Sequence, residues 1–288
     1  MTGDTTFAIT GATGRLGGRV ARRLAAGGVR QTLLVRDPAR APDLAGAAVA
    51  TAGFGDGDAV RRALRGIDRV LMVSAAETPD RVEAHRSFVD AATEAGVRHL
   101  VYVSFLGAAP DATFTLARDH WATEEHIRAS GLDFTFLRDN LYADFTPDLV
   151  GADGAIRGPA GDGRVAVVAQ DDIADAATAV LTAAPAHAGA TYDLTGPRSL
   201  TLAEVAAVLS RAWGRSITYQ PETVAEAYRS RASSDVPDWQ VDAWVSTYTA
   251  IAAGELEAVG DAVEVLTGRP ATPLEAVVSS IVRTRQPW

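Results

Sequence analysis

The chain has 288 residues, 47% of them hydrophobic, and a formal net charge of −9. That length supports a sizeable core, as one large domain or as a domain with a smaller lobe. The acidic balance argues against a nucleic-acid groove as the main function, and the lack of cysteine removes disulfides, thiol catalysis and cysteine-ligated metals.

In chain order, Phe7-Ala8-Ile9-Thr10 reads as a short apolar strand. A glycine-rich turn follows, then an amphipathic helix marked by Leu16, Val20 and Leu24. Gln31–Val35 and Ala48–Thr51 are the next strands, Asp58–Arg65 a short helix, and Arg69–Val73 a fourth strand ending at Ser74-Ala75-Ala76. Pro79–Ala95 reads as a long helix with proline near its start and Gly96 past its end. His99–Val103 is a fifth strand running to Ser104-Phe105, Arg118–Ser130 a helix closed by Gly131, and Asp133–Leu137 a sixth strand running into Arg138. Alternating strands and helices predict a parallel sheet.

The second half is less regular. Gly151–Gly163 reads as a mobile, Gly/Asp/Pro-rich loop able to cover a ligand. Val165–Ala169 is strand-like and precedes Asp171-Asp172-Ile173, an acidic helix start that looks like capping rather than a metal site. Thr191–Leu194 reads as a strand, and Thr201-Leu202-Ala203-Glu204 is a capping box opening a helix to Trp213. Ile217–Gln220 is a candidate strand, and helices are expected near 222–231, 238–253 and 273–284. No charged-then-apolar leader and no bilayer-length apolar run are present, so a cytoplasmic location with no membrane partner is expected.

The first turn carries the chemistry. Gly11, Gly14 and Gly17 are spaced G-x-x-G-x-x-G between a strand and a helix. Gly11 permits the tight turn, Gly14 lets the backbone approach a pyrophosphate, and Gly17 lets the helix pack on the strand. The phosphates then meet the helix N-terminus, with Thr13, Arg15 and Leu16 of the same loop counted among the cofactor contacts. Arg36, at the end of the second strand, suits the 2′-phosphate of NADP where an acid would select the NAD ribose, so the cofactor is read as NADP(H). All 27 basic residues are arginine. Schiff-base chemistry and a Tyr-x-x-x-Lys pair are therefore excluded. Open parallel sheets bind ligands beyond their strand carboxyl ends, which brings in Ser74, Ala75, Ser104, Phe105 and Arg138.

The glycine loop, Leu33-Leu34-Val35-Arg36, Leu71–Ser74, Tyr102–Ser104 and the run from Leu116 through Glu124, Phe134–Arg138 and Tyr142 resemble the NmrA-like, atypical short-chain dehydrogenases. They are most similar to the branch holding triphenylmethane reductase and an NAD(P)H:quinone oxidoreductase. The resemblance continues through Ala160–Gly163, Tyr192–Leu194, Thr201–Ser210 and Leu266–Gly268, nearly the whole chain. It implies an α/β Rossmann doubly wound parallel sheet over residues 1–145 and a smaller, mostly helical substrate lobe over 146–288, interleaved as one two-lobed unit with substrate in the cleft.

Where several relatives carry aspartate before an aromatic, Gly53 stands here, so the adenine contact falls to Phe54 with Asp56. The resemblance also places His120 where wider relatives carry a lysine that points at nicotinamide ribose or substrate. His120 is thus either a proton donor or ribose ligand, or a first-turn structural histidine. Ser104 either bonds a carbonyl of nicotinamide or substrate or serves the strand end. Tyr142, with Phe105, either stacks on a planar ligand or packs in the core. His85 is read as structural, and one of Tyr228, Trp239 or Trp244 is expected beside the substrate. The catalytic candidates are therefore His120, Ser104 and Tyr142, with no metal. The expected reaction is NADPH-dependent hydride transfer to an aromatic or conjugated small molecule (a quinone, dye, enone or imine). The alternative is a non-catalytic NADP-sensing regulator. A monomer or homodimer is expected.

Overall fold

The computed structural model describes residues 6–232 and 235–285. The first half builds β1 (Phe7–Thr10), α1 (Arg15–Ala26), β2 (Gln31–Val35), β3 (Ala47–Thr51), α2 (Gly57–Ala63), β4 (Arg69–Val73), α3 (Arg81–Ala95), β5 (His99–Phe105), α4 (Thr115–Ala129) and β6 (Asp133–Asp139). The second half adds β7 (Ala155–Gly158), β8 (Arg164–Val165), α5 (Gln170–Thr182), β9 (Thr191–Leu194), β10 (Leu200–Thr201), α6 (Leu202–Trp213), β11 (Thr218–Pro221), α7 (Val224–Arg231), α8 (Asp238–Ala252), α9 (Ala262–Thr267) and α10 (Leu274–Arg285).

Seven strands form one sheet in the order β3-β2-β1-β4-β5-β6-β9. The pairs among the first five are parallel and in register, with Phe7 beside both Gln31 and Arg69 and Val73 beside Val103. This is the Rossmann-like, doubly wound order: the chain lays β1, β2 and β3 to one side, then returns to place β4 and β5 on the other. β1 and β5 are buried along their whole length, which is why they read as continuous apolar runs rather than alternating ones. Between sheet and helices, Leu34, Leu64, Val70, Met72, Phe88, Leu100, Tyr102 and Phe136 share one core. Gly96 and Gly131 take φ +84 and +82 at the ends of α3 and α4, the left-handed positions that stop a helix.

The chain divides into two compact units. Residues through Phe105, Asp119–Arg138 and Ile173–Tyr192 form the first, and Leu106–Arg118, Asp139–Asp172 and the residues from Asp193 onward form the second. In the second unit the structure corrects several expectations. Gly151–Gly163 is not loop throughout: between its turns Ala155–Gly158 pairs in parallel with Thr218–Pro221, and Ile156 is fully buried. Gly158 and Gly163 are glycine for a packing reason, since a Cβ would lie 2.3 Å from the Tyr248 ring and 2.3 Å from the Ile251 carbonyl oxygen. Of the strand expected at Val165–Ala169, only Arg164–Val165 pairs, with Leu200–Thr201, while Val168 bridges to Tyr142. Asp172 does not cap its own helix; its carboxylate accepts from the Thr272 N–H at 2.6 Å and pairs with Arg269 at 2.7 Å. The capping box at Thr201 and Glu204 is formed as read. α9 was not foreseen.

Candidate active site

The β1–α1 turn has the shape of an anion cradle. Gly11 takes φ +64, and the Gly14 N–H donates to its carbonyl at 2.8 Å, closing the turn. A Cβ on Gly17 would lie 2.5 Å from the carbonyl oxygens of both Thr10 and Gly11, so only glycine lets α1 approach β1 this closely. Gly14 is the N-cap of α1 and, as glycine, makes no side-chain cap hydrogen bond; the first turn holds no acid and begins with Arg15. The opposite pattern holds at α6 and α7, whose first turns are closed by capping boxes. The α1 end therefore presents a positive dipole end, which a bound anion would complement. Thr13, Gly14 and Arg15 are exposed there, whereas Leu16 is buried, so only its backbone is available to a ligand.

β1 and β4 are neighbours in the sheet although β2 and β3 separate them in the chain, which makes their carboxyl ends the topological switch point. Thr10 ties the two ends together: its hydroxyl donates to the Val73 carbonyl at 3.2 Å and accepts from the Val73 N–H at 2.9 Å. Arg36 stands exposed beyond β2, one strand over, without an ion pair among the described residues. Phe54, after β3, stacks on Phe88 of α3 at 4.7 Å and leans against His85. Asp56 is committed to α2, accepting from the Ala59 N–H at 3.0 Å. Ser74 and Ala75 form the half-buried start of the loop after β4.

Beyond β5, the predicted catalytic pair of this unit is buried and engaged. Two rungs join β5 to α4. The Ser104 hydroxyl donates to Glu124 at 2.6 Å, and Tyr102 bonds the His120 Nδ1 at 2.9 Å. Glu124, fully buried, also holds Arg138 by a two-point contact at 2.8 and 2.6 Å and takes Arg128 at 3.0 Å. His120 is only 6% exposed. Its Nε2 lies 3.1 Å from Arg81, and Phe105 packs on its ring. Burial, then the charge of Arg81, push its pKa well below the usual imidazole value, so the ring is neutral. His85 is likewise held down to about 3, first by burial and then by Arg81. The residue missed in the sequence was Arg81, a buried charge that with Glu124 organises these side chains. The candidates do not assemble into one constellation within a unit: His120 and Ser104 belong to the first and Tyr142 to the second. Among the described residues no His/Asp/Glu group could hold a metal ion, and no helix is long and apolar enough to cross a membrane.

A glycine turn at the switch point, with an arginine beyond the neighbouring strand, fits a dinucleotide phosphate. The family model described as NAD(P)H-binding matches residues 11–184. The chain belongs to the NAD(P)H-binding family. It is 34% identical to quinone oxidoreductase 2 of Escherichia coli over 96% of this chain and 98% of that protein. The NADPH complex of the quinone oxidoreductase QOR2 from E. coli superposes with a TM-score of 0.87, covering 96% of this chain and 99% of that one. Identity is also 34% to the NAD(P)H azoreductase of Xenophilus azovorans, over 91% of this chain and 93% of that protein. The Citrobacter triphenylmethane reductase in complex with NADP(H) is 31% identical with a TM-score of 0.84, over 95% and 99% of the two chains.

The second unit of this NAD(P)H-binding chain contains its own cavity, about 640 Å³ in volume. Tyr142, Phe145, Val165, Val205, Trp244 and Tyr248 contribute its mostly apolar wall. Tyr142 meets Phe145 edge-on at 5.3 Å, and its hydroxyl donates to Asp139 at 2.8 Å, so it offers the cavity a ring rather than a proton. Phe145, Leu149 and Trp244 line the cavity yet remain 37–39% exposed. Its two guanidinium groups are already paired, Arg157 with Asp153 at 2.6 Å and Arg231 with Glu222 at 3.0 Å. Of the three aromatics expected beside a substrate, Trp244 lines this cavity, while Tyr228 stands 40% exposed.

Proposed function

We propose that the protein is an NADPH-dependent reductase that transfers hydride to a conjugated, electron-poor small molecule held in the aromatic-lined cavity of the second unit. Bound NADPH supplies the hydride. The residues of this chain bind and orient it. Gly11, Thr13, Gly14, Arg15, Leu16 and Gly17 hold the pyrophosphate through backbone N–H groups and the α1 dipole. Arg36 takes the 2′-phosphate, Phe54 faces the adenine, and Ser74 and Ala75 form the wall after β4.

The observation that carries the reading is the glycine-lined α1 terminus in a chain that also holds an apolar aromatic cavity whose wall, among the described residues, has no unpaired histidine or arginine. Quinones, azo compounds and triphenylmethane dyes are the acceptors in the names of the three relatives. They share a conjugated centre that accepts hydride without prior protonation, so placement and exclusion of water do most of the work. Tyr142, Phe145 and Trp244 supply flat surfaces for such a molecule. Ser104 and His120 act by position: the hydroxyl is given to Glu124 and the neutral ring to Arg81 and Tyr102. A carbonyl acceptor, which takes one hydrogen as hydride, then takes its single proton from water.

The test is loss of NADPH absorbance against a panel of quinones, azo compounds, triarylmethane dyes and enones. Turnover with at least one class, and weaker turnover with NADH, is expected. Tight NADPH binding with no oxidation by any acceptor overturns the proposal.

A further inference from the structure

Ala75 is held by both of its backbone polar groups. Its N–H donates to His85 Nε2 at 2.9 Å, and its carbonyl accepts from Arg81 Nε at 3.2 Å. Both partners lie on α3, and neither bond belongs to a helix or a sheet ladder. The donors settle the protonation of the whole cluster. A backbone N–H can only donate, so His85 Nε2 is the acceptor and its proton sits on Nδ1, 2.8 Å from Thr123 Oγ1. That hydroxyl spends its own proton on the Asp119 carbonyl at 2.8 Å, so it is free to accept from His85. A guanidinium likewise can only donate, so His120 Nε2 accepts from Arg81 at 3.1 Å, and Nδ1–H donates to the Tyr102 hydroxyl at 2.9 Å. Both imidazoles are therefore neutral Nδ1–H tautomers. Asp119 lies 3.6 Å from Arg81 and is the nearby carboxylate that balances the guanidinium.

We infer that this cluster is a clamp that sets the position of the loop after β4. His85 and Arg81 grip Ala75, while His120 and Thr123 fix the two grips to β5 and α4. The inference rests on the proposed cofactor site, because that loop is one wall of the switch-point crevice. A wall held by two side chains is already in place when the cofactor arrives. A loop without them must be ordered on binding, at a cost in affinity. His120 is then a positioning residue. Its Nε2 cannot take a proton without expelling Arg81, which can only donate, so the ring is held as an acceptor for that guanidinium.

The experiment measures NADPH Kd by fluorescence titration, KM and kcat with a neutral quinone, and the thermal midpoint of the protein without cofactor. His85→Leu is expected to raise the NADPH Kd and KM at least tenfold while kcat at saturation changes less than threefold. His85→Gln keeps an acceptor at the Nε2 position and should recover most of that loss. Thr123→Val, nearly isosteric, frees His85 to take the Nε2–H tautomer and should weaken NADPH binding severalfold. Long-range proton–nitrogen spectra of the wild type should show both rings as Nδ1–H tautomers. The clamp is overturned if a folded His85→Leu or Thr123→Val binds NADPH as wild type does, if Gln is as poor as Leu, or if either ring is Nε2–H in the wild type. A wild type that does not bind NADPH would instead refute the cofactor reading itself.

Discussion

Arg36→Ala is the most direct probe of cofactor choice. The side chain is exposed beyond β2 and has no ion pair among the described residues, so its loss should leave the fold intact. Any effect then reports the bound 2′-phosphate. A guanidinium fork can donate two charge-assisted hydrogen bonds to that group, each worth about 1.5–3 kcal/mol when well sheltered. Exposure and salt reduce this, since a Debye length is about 8 Å at physiological ionic strength. A total of about 1–3 kcal/mol follows, or roughly 5- to 150-fold in affinity. NADH has a hydroxyl in that place and should lose little. Calorimetry of both nucleotides on wild type and variant should therefore show NADPH favoured in the first, a ratio narrowed within that range in the second, and a difference that shrinks as salt rises. A wild type with equal affinities, or a ratio unchanged by the substitution, would refute the assignment of Arg36.

The glycines of the turn should separate by role: Gly17→Ala must push α1 from β1 and lower both thermal stability and NADPH affinity, because its Cβ would stand 2.5 Å from two carbonyl oxygens. At Gly14 the nearest atom is 3.2 Å away, so Gly14→Val should remain folded by circular dichroism yet lose NADPH binding, and retained affinity would place the phosphates elsewhere. Gly158→Ala would set a Cβ 2.3 Å from the Tyr248 ring that lines the cavity, so steady-state kinetics should show the acceptor KM raised severalfold with the NADPH KM unmoved. Stability should fall with acid below about pH 6.5. The unfolded chain protonates His85 there, whereas the folded chain holds it neutral down to about 3. The slope approaches about 1.4 kcal/mol per pH unit for this residue, with His120 acting in the same direction. A thermal midpoint that stays flat from pH 7 to 5 would contradict the buried neutral imidazoles.

What the sequence determined by itself was local. β1 to α1, with Gly11, Gly14 and Gly17, could be read because a tight turn, an approaching backbone and a close helix each demand glycine within a few residues. The capping box at Thr201 and Glu204 and the stops at Gly96 and Gly131 were legible for the same reason: each is a hydrogen-bond or dihedral requirement met by its own neighbours. Tertiary structure decided the rest. Nothing near Gly151–Gly163 announces a strand, because its partner, β11, lies some 60 residues on, and two of its glycines, Gly158 and Gly163, answer to Tyr248 and Ile251 rather than to turns. α9 is only six residues long, too short for its periodicity to stand out. The state of His120 was equally out of reach. A histidine on the helix after β5, expected in its first turn but placed in its second because α4 begins at Thr115, is compatible with proton transfer until Arg81, 39 residues earlier, occupies one nitrogen and Tyr102, 18 residues earlier, occupies the other. Local rules set which elements form. Which polar atoms remain open to a ligand depends on partners that only folding brings within 3 Å, and the chemistry of the site is settled there.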